Sequence, residues 1–333
     1  MPSPSFSKET LRQIGEKGVL NRLKKFMDEG QIDDDTALIR SSSKDLLINT
    51  DIFVEDIHFS ESTTSAINVG WKAVVANLSD LASSGVDDVI AITVGLVAPP
   101  STEWKWVDDA YQGIKNALEE FGGKLIGGDC SSGKQKIISI TAIGQKGPLH
   151  LHRSNAQPGD LLVTSGPHGL SRLGLGLLQS DKLTNTVEIP ESLKNKAIKA
   201  HQKPYPPIDS LKKLVHCKPP HLPWRAAGTD SSDGLINAVE NLCTSSQCKA
   251  ILEPNNLPKF ENWPLGKEWD EWCLYGGEDF ELVLSLPSEW AKEWLQEIPL
   301  SKCIGTIEKG LPEIIWGNGT AINRKSNIEF HHF

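Results

Sequence analysis

Trp71-Lys-Ala-Val-Val-Ala-Asn-Leu-Ser-Asp-Leu-Ala-Ser-Ser-Gly85 sets Trp71, Val74, Val75, Leu78, Leu81 and Ala82 at spacings of three and four. That period predicts a helix with one apolar face, which Gly85 can end. Asn77 and Asp80, three apart, share a different face of it. Leu46 to Asn49, before the helix, and Val89 to Val97, after it, read as buried strands. A second helical pattern runs from Trp104 to Phe121, and Ile137 to Ile143 reads as a further strand. Near residue 150 the pattern breaks. Arg153-Ser-Asn-Ala-Gln-Pro-Gly159-Asp160 has the composition of a loop, and Leu161-Leu-Val-Thr164 then reads as a strand.

The second half repeats the mixed pattern. Its strand candidates are Lys249 to Leu252, Phe280 to Leu286 and Glu313 to Trp316, and helices are expected around Ile236 to Leu242 and Trp290 to Leu295. Lys203 to Pro207 and Lys218 to Pro223 read as turns or loops. Strand and helix do not alternate as a clean βαβ series, so the expectation is two α+β domains, residues 1–150 and 151–333, rather than one parallel-sheet domain.

Composition bounds the function. The chain has 333 residues, 34 of them Lys or Arg and 43 Asp or Glu, for a net charge of −9. A basic footprint for nucleic acid is not expected. The longest apolar run, Val89 to Ala98, is about half of the ~20 residues a membrane helix needs. MPSPSFSKET at the start has no apolar signal core, and the six cysteines form no CxxC pair. Reduced thiols and a cytoplasmic location are the expectation.

Aspartates recur where strands or helices meet turns. They are Asp33-Asp34-Asp35, Asp51 after Leu46-Leu-Ile-Asn-Thr50, Asp80, Asp129 after Gly127-Gly128, Asp230 with Asp233, and Asp279 in Gly276-Gly-Glu-Asp279. Any one of them is explained by helix capping or a turn. Converging carboxylates would repel unless cations neutralised them, and oxygen-only sites of that kind suit Mg²⁺ with substrate phosphates. Two nucleotide-like motifs fail. Gly128-Asp-Cys-Ser-Ser-Gly133-Lys134-Gln135 has Gln135 where a P-loop needs Ser or Thr, and Gly174-Leu-Gly176 is explained equally well by helix packing. No cluster of Cys and His with zinc spacing is present. Four tryptophans, Trp263, Trp269, Trp272 and Trp290, fall close together and read as packing residues.

Seven ordered pieces together resemble the thiamine-monophosphate kinase family, within the aminoimidazole ribonucleotide synthetase superfamily. They are Asp34-Asp-Thr-Ala37, Asn49-Thr-Asp51 with His58-Phe59, Asn77-Leu-Ser-Asp-Leu-Ala82, Leu125-Ile-Gly-Gly-Asp129, Arg153-Ser with Pro158-Gly-Asp160, Ser232-Asp-Gly-Leu235, and Tyr275-Gly-Gly-Glu-Asp279. The resemblance spans nearly the whole chain. It implies a two-domain α+β synthetase-like fold, dimerising through strands of the N-terminal domain. It also implies ATP-dependent phosphorylation of thiamine monophosphate to thiamine diphosphate, with several Mg²⁺ ions.

Carried over by matching position, the resemblance implies that Asp35, Asp51, Asp80, Asp129 and Asp230 hold Mg²⁺. Asn49 and Thr50 would add oxygen ligands, and Asp233 would bind a further metal. Gly128 and Arg153 would contact ATP phosphates with Ser232 nearby, and Tyr111 would lie against the nucleotide. His58 and Glu278 would face the thiamine phosphate. Phe330 stands where the family usually has a tyrosine, which keeps stacking and loses the hydroxyl. Asn49 replaces the usual serine, Asp33 replaces a glycine, and Ser231 replaces an aliphatic residue. No departure removes a carboxylate.

Two competing readings remain at the level of sequence. A selenophosphate synthetase would carry a reactive cysteine or selenocysteine near a glycine-rich N-terminus, whereas the first cysteine here is Cys130. A nucleotide- or metal-binding dimer without turnover is separated from an enzyme by acceptor-dependent ATP consumption.

Overall fold

The computed structural model describes residues 9–26 and 45–322. Asp33, Asp34, Asp35 and Phe330 lie outside the described residues. The chain divides into two compact units, Met1–Asn77 with Asp88–Gln145, and Leu78–Asp87 with Lys146–Phe333.

The first unit contains helix α1 (Leu11–Leu23) and a four-stranded sheet in the order β1-β4-β2-β3. The strands are β1 (Leu46–Val54), β2 (Val86–Ala98), β3 (Lys124–Ser132) and β4 (Ile137–Lys146), with α2 (Ala66–Ser83) and α3 (Trp104–Phe121) between them in sequence. β1 pairs antiparallel with β4, and β2 pairs parallel with β3. α3 buries Val107, Ala110, Ile114, Ala117 and Leu118, the three-and-four spacing expected of a core-facing helix. α2 and α3 approach closely through glycines. A Cβ on Gly70 would meet the Ala110 carbonyl oxygen at 1.8 Å, and one on Gly113 would meet that of Ile67 at 1.8 Å.

Leu46 to Asn49 is not a buried strand. β1 lies at the sheet edge and exposes alternate residues, with Ile48 63 % and Ile52 53 % accessible. A strand with only one neighbour and one covered face keeps apolar side chains inside on every second residue only.

The second unit holds a six-stranded sheet in the order β10-β7-β9-β5-β8-β6. Its strands are β5 (Leu161–Thr164), β6 (Ala227–Asp230), β7 (Lys249–Leu252), β8 (Leu282–Leu286), β9 (Lys302–Glu308) and β10 (Glu313–Trp316). β10 pairs parallel with β7, and the other pairs are antiparallel. Helices α4 (Leu170–Leu178), α5 (Glu191–Gln202), α6 (Ile208–His216), α7 (Leu235–Ser246), α8 (Lys267–Tyr275) and α9 (Ser288–Glu297) complete it. Its core includes Leu162, Leu173, Leu193, Val239, Leu242 and Val283. Trp263, Trp269 and Trp272 join the same core, stacked edge-to-face in sequence order.

Gly174 serves helix packing, because a Cβ there would meet the Ala197 carbonyl oxygen of α5 at 2.1 Å. The Gly128–Gln135 segment runs from β3 into the turn before β4 rather than opening a helix, so the P-loop resemblance has no structural counterpart. β8 begins at Leu282 and not at Phe280, because Glu278 and Phe280 both have positive φ (64° and 52°) and keep the chain out of strand geometry. Among the described residues, no helix is long and apolar enough to cross a membrane.

Candidate functional site

Each unit contributes its own group of candidate residues. In the first, β1 carries Asn49, Thr50 and Asp51 in succession, so Asn49 and Asp51 point to one face and Thr50 to the other. Asn49 donates through Nδ2 to Oδ1 of Asn77 at 3.1 Å, and Asn77 donates in turn to the Ala73 carbonyl at 2.9 Å. Asn77 is fully buried. Thr50 meets Thr141 hydroxyl to hydroxyl at 2.8 Å.

Asp129 is exposed on β3, opposite Gly95 of β2. Strands β4 and β2 stand between it and Asp51 in the sheet order. Gly128 is required by the strand pairing itself, since a Cβ would lie 1.9 Å from the Val94 carbonyl oxygen. Tyr111 is buried with its ring 5.6 Å from that of Phe26, and burial pushes its phenol pKa well up. Its side chain therefore packs within the unit.

His58 follows β1 in a tight turn. Its ring lies 5.5 Å from Phe53, and its Nδ1 accepts the Val54 backbone N–H at 3.1 Å.

In the second unit the candidates gather around Asp230 at the end of β6. Its buried carboxylate accepts from Ser79 Oγ at 2.8 Å and from Ser232 Oγ at 3.1 Å. Burial raises its pKa and Asp233 adds to the rise, against the two serine hydrogen bonds and the Arg153 charge. Asp233 is exposed and accepts from Asn237 at 3.3 Å. Asp80, one residue past Ser79, is half-buried.

Arg153 sits in a short 3-10 turn, Arg153–Asn155, and donates through Nε to Thr229 Oγ1 at 3.1 Å. Ser246 Oγ donates to its carbonyl at 2.7 Å. Asp160, the last residue of the Pro-Gly-Asp motif, holds the loop that follows the turn. It accepts a bidentate pair from Arg225 at 2.6 and 2.8 Å and a further bond from Ser285.

The Gly276–Glu281 segment folds back over this unit. Glu278 donates its N–H to the Ser232 carbonyl at 2.7 Å, and its carboxylate lies 3.4 Å from His201 Nδ1. Asp279 accepts N–H bonds from Gly169 at 2.6 Å and Ser171 at 3.0 Å, so it caps α4 from a distant point in sequence. Glu281 accepts the Ser165 hydroxyl proton. Burial pushes both carboxyl groups up to about 7.

Sequence reasoning assigned no role to Ser79, His201 or Glu281. Ser79 stands inside the quoted Asn-Leu-Ser-Asp piece, so its signal was present. His201 had none, because only folding brings it to Glu278.

In each unit taken by itself, Asp51 and Asp129 in the first and Asp80, Asp230 and Asp233 in the second, the candidate donors are carboxylate, amide and hydroxyl oxygen, without thiolate or imidazole. They fit a hard cation such as Mg²⁺ better than Zn²⁺. Among the described residues, no three His, Cys, Asp or Glu side chains are gathered closely enough to hold a metal by themselves.

The family described as AIR synthase related protein, N-terminal domain, matches residues 33–145. A thiamine-monophosphate kinase of Prochlorococcus marinus is 60% identical over 327 residues, covering 98% of this chain and 98% of that one. One of Synechococcus elongatus is 40% identical over 331 residues, 98% of this chain and 99% of the relative. The solved structure of AaThiL complexed with AMPPCP and TMP superimposes with a TM-score of 0.74 at 29% identity, covering 99% of this chain and all of that one. With identity sustained from end to end and the same two-unit α+β architecture, the chain belongs to the thiamine-monophosphate kinase family.

Proposed function

We propose that this chain transfers the γ-phosphoryl group of ATP to thiamine monophosphate, giving thiamine diphosphate and ADP. The observation that carries this is the 60% identity over 98% of both chains to a relative named for that reaction. AaThiL, of the same fold, has been captured with AMPPCP and TMP together.

The acceptor is a phosphate oxygen that is already anionic, so no strong general base is needed. The difficulty is to bring two anions together. Mg²⁺, when bound, would supply the positive charge that offsets theirs. Asp35, Asn49, Asp51, Asp80, Asp129, Asp230 and Asp233 would hold the ions. Thr50 would add a further oxygen ligand, and its hydroxyl lies on the other face of β1, against that of Thr141.

Arg153 adds positive charge beside the ATP phosphates, steadied by Thr229. Gly128, lacking a side chain, leaves its main chain open to the phosphates. His58 and Glu278 face the thiamine phosphate. Tyr111 would lie against the nucleotide, and its ring is buried beside Phe26.

The apolar residues exposed on β1, Ile48 and Ile52, support a homodimer built on this strand. Six cysteines without a CxxC pair support a reducing, cytoplasmic setting.

The test is product analysis. Protein is incubated with ATP, Mg²⁺ and thiamine monophosphate, and the thiamine species are separated by chromatography. Thiamine diphosphate and ADP in equal amounts, absent without Mg²⁺ and with free thiamine as acceptor, are expected. Folded, ATP-binding protein that forms no product would overturn the reading in favour of a binder or a different acceptor.

A further inference from the structure

The turn that carries His58 is clamped by one lysine. Lys136 Nζ donates to Glu55 Oε1 at 2.5 Å and to Glu61 Oε1 at 2.8 Å, gripping the turn at both ends. Its backbone N–H reaches Glu55 Oε2 at 3.1 Å, and Glu55 N–H returns to the Lys136 carbonyl at 2.9 Å. The ammonium also sits 5.3 Å from the centre of the Trp106 ring, which stacks near Phe59 of the same turn. Only 13 % of the lysine side chain is accessible, so this is not an ordinary surface ion pair. Burial opposes its charge, but the two carboxylates outweigh that and raise its pKa, while Glu55 is held below its usual range.

Inside the clamp the backbone is over-determined. Asp56 has φ 65°, its N–H bonds to the Phe59 carbonyl at 2.8 Å, and His58 N–H bonds to the Val54 carbonyl at 2.8 Å. Val54 N–H in turn fills the lone pair of His58 Nδ1. An Nδ1 that accepts carries no proton, so the neutral ring has its proton on Nε2.

We propose that Lys136 is a positioning residue for the acceptor: through Glu55 and Glu61 it fixes the 55–61 turn so that His58 presents Nε2–H as a neutral donor to a phosphate oxygen of the thiamine phosphate. This rests on the reading that His58 faces that substrate. Neutral imidazole suits the task, because it orients an anionic nucleophile without pairing a full charge with it.

The experiment measures kcat and both KM values for Lys136→Met, Lys136→Arg, His58→Ala and the Lys136→Met/His58→Ala double variant. Lys136→Met should raise KM for thiamine monophosphate about tenfold and leave KM for ATP within about twofold. Lys136→Arg should restore it. The double variant should be no worse than His58→Ala alone, because both act through one contact. Glu61→Gln, which removes one exposed arm of the clamp, should give a smaller rise of the same kind and stands in if Lys136→Met folds poorly. ¹⁵N NMR of labelled histidine in the intact enzyme should show the Nε2–H tautomer for His58.

Equal changes in both KM values, or multiplying effects in the double variant, would reduce Lys136 to a structural role and overturn the inference. If His58→Ala raises the acceptor KM and Lys136→Met does not, the lysine inference alone fails. If His58→Ala leaves the acceptor KM unchanged, the reading of His58 fails with it.

Discussion

Ser79 and Asp230, 151 positions apart in sequence, are joined by a 2.8 Å hydrogen bond from hydroxyl to buried carboxylate. The bond supports a charge that burial disfavours. Ser79→Ala should therefore cost about 2 kcal/mol of stability and raise the Mg²⁺ concentration needed for half-maximal activity. Asp230→Asn has the opposite signature. It removes a poorly solvated charge, so thermal stability should hold or rise while kcat falls at least ~100-fold. Thermal unfolding paired with a Mg²⁺ titration of activity separates the two.

Asp129 is the converse case, an exposed carboxylate on a glycine-rich strand. Its replacement by Asn should leave Tm within about 2 °C, because exposed substitutions rarely disturb folding. A loss of kcat of roughly 100-fold with unchanged Tm would place its value in the reaction. Unchanged kcat at limiting Mg²⁺ would remove it from the ligand set.

Gly113→Ala sets two effects against each other. Alanine improves the helix propensity of α3 by about 1 kcal/mol. The new methyl group would lie 1.8 Å from the Ile67 carbonyl oxygen and 3.0 Å from the Trp71 nitrogen, both backbone atoms of α2. Backbone cannot swing aside as a side chain can, so the clash wins and the variant should lose roughly 3 kcal/mol in urea unfolding. A variant as stable as the parent would mean that α2 and α3 sit farther apart than this.

Glu281 gives a pH signature. Its carboxyl group titrates at about 7 in the folded protein, where burial disfavours the charged form, against 4.5 as the ordinary value. Between those values the folded state holds a proton that the unfolded chain has released. Its contribution to stability is therefore full below about pH 4.5 and is lost as pH rises through 7, to a total of up to about 3 kcal/mol. Glu281→Gln should flatten this slope and be relatively more stable than the parent at pH 8. Unfolding at pH 5, 6, 7 and 8 reads the difference directly, because the other groups cancel between parent and variant.

Much of the fold was legible because single elements obey local periods. Trp104 to Phe121 was bounded correctly by its spacing, and Gly85, with φ 92°, stands just past the end of α2 as its sequence position suggested. Lys249 to Leu252 and Glu313 to Trp316 match β7 and β10. β3 did not show, because Gly127 and Gly128 give it a turn's composition, and its strand character comes from pairing with β2. β1 misled for a related reason: its alternation is real, but whether the outward residues are covered depends on the sheet edge, which no local pattern encodes. The candidate site was legible as ordered motifs. The partners that tune it, Ser79 for Asp230 and His201 for Glu278, meet only on folding; Ser79 stands inside an ordered motif, whereas His201 has no short-range signal.

The six-stranded sheet also imposes a timetable on synthesis. β5 sits inside it between β9 and β8, and both partners leave the ribosome late. Ser285 of β8, which bonds Asp160 at the start of β5, comes 125 positions after it. At roughly 5–20 residues per second, the newly made β5 waits about 6–25 s before either neighbour exists. Through that interval Leu162 and Val163, buried in the finished protein, have no strand to cover them. The nascent second unit is thus a natural client for a holdase chaperone at the tunnel exit, and translation speed over residues 161–286 should govern its soluble yield.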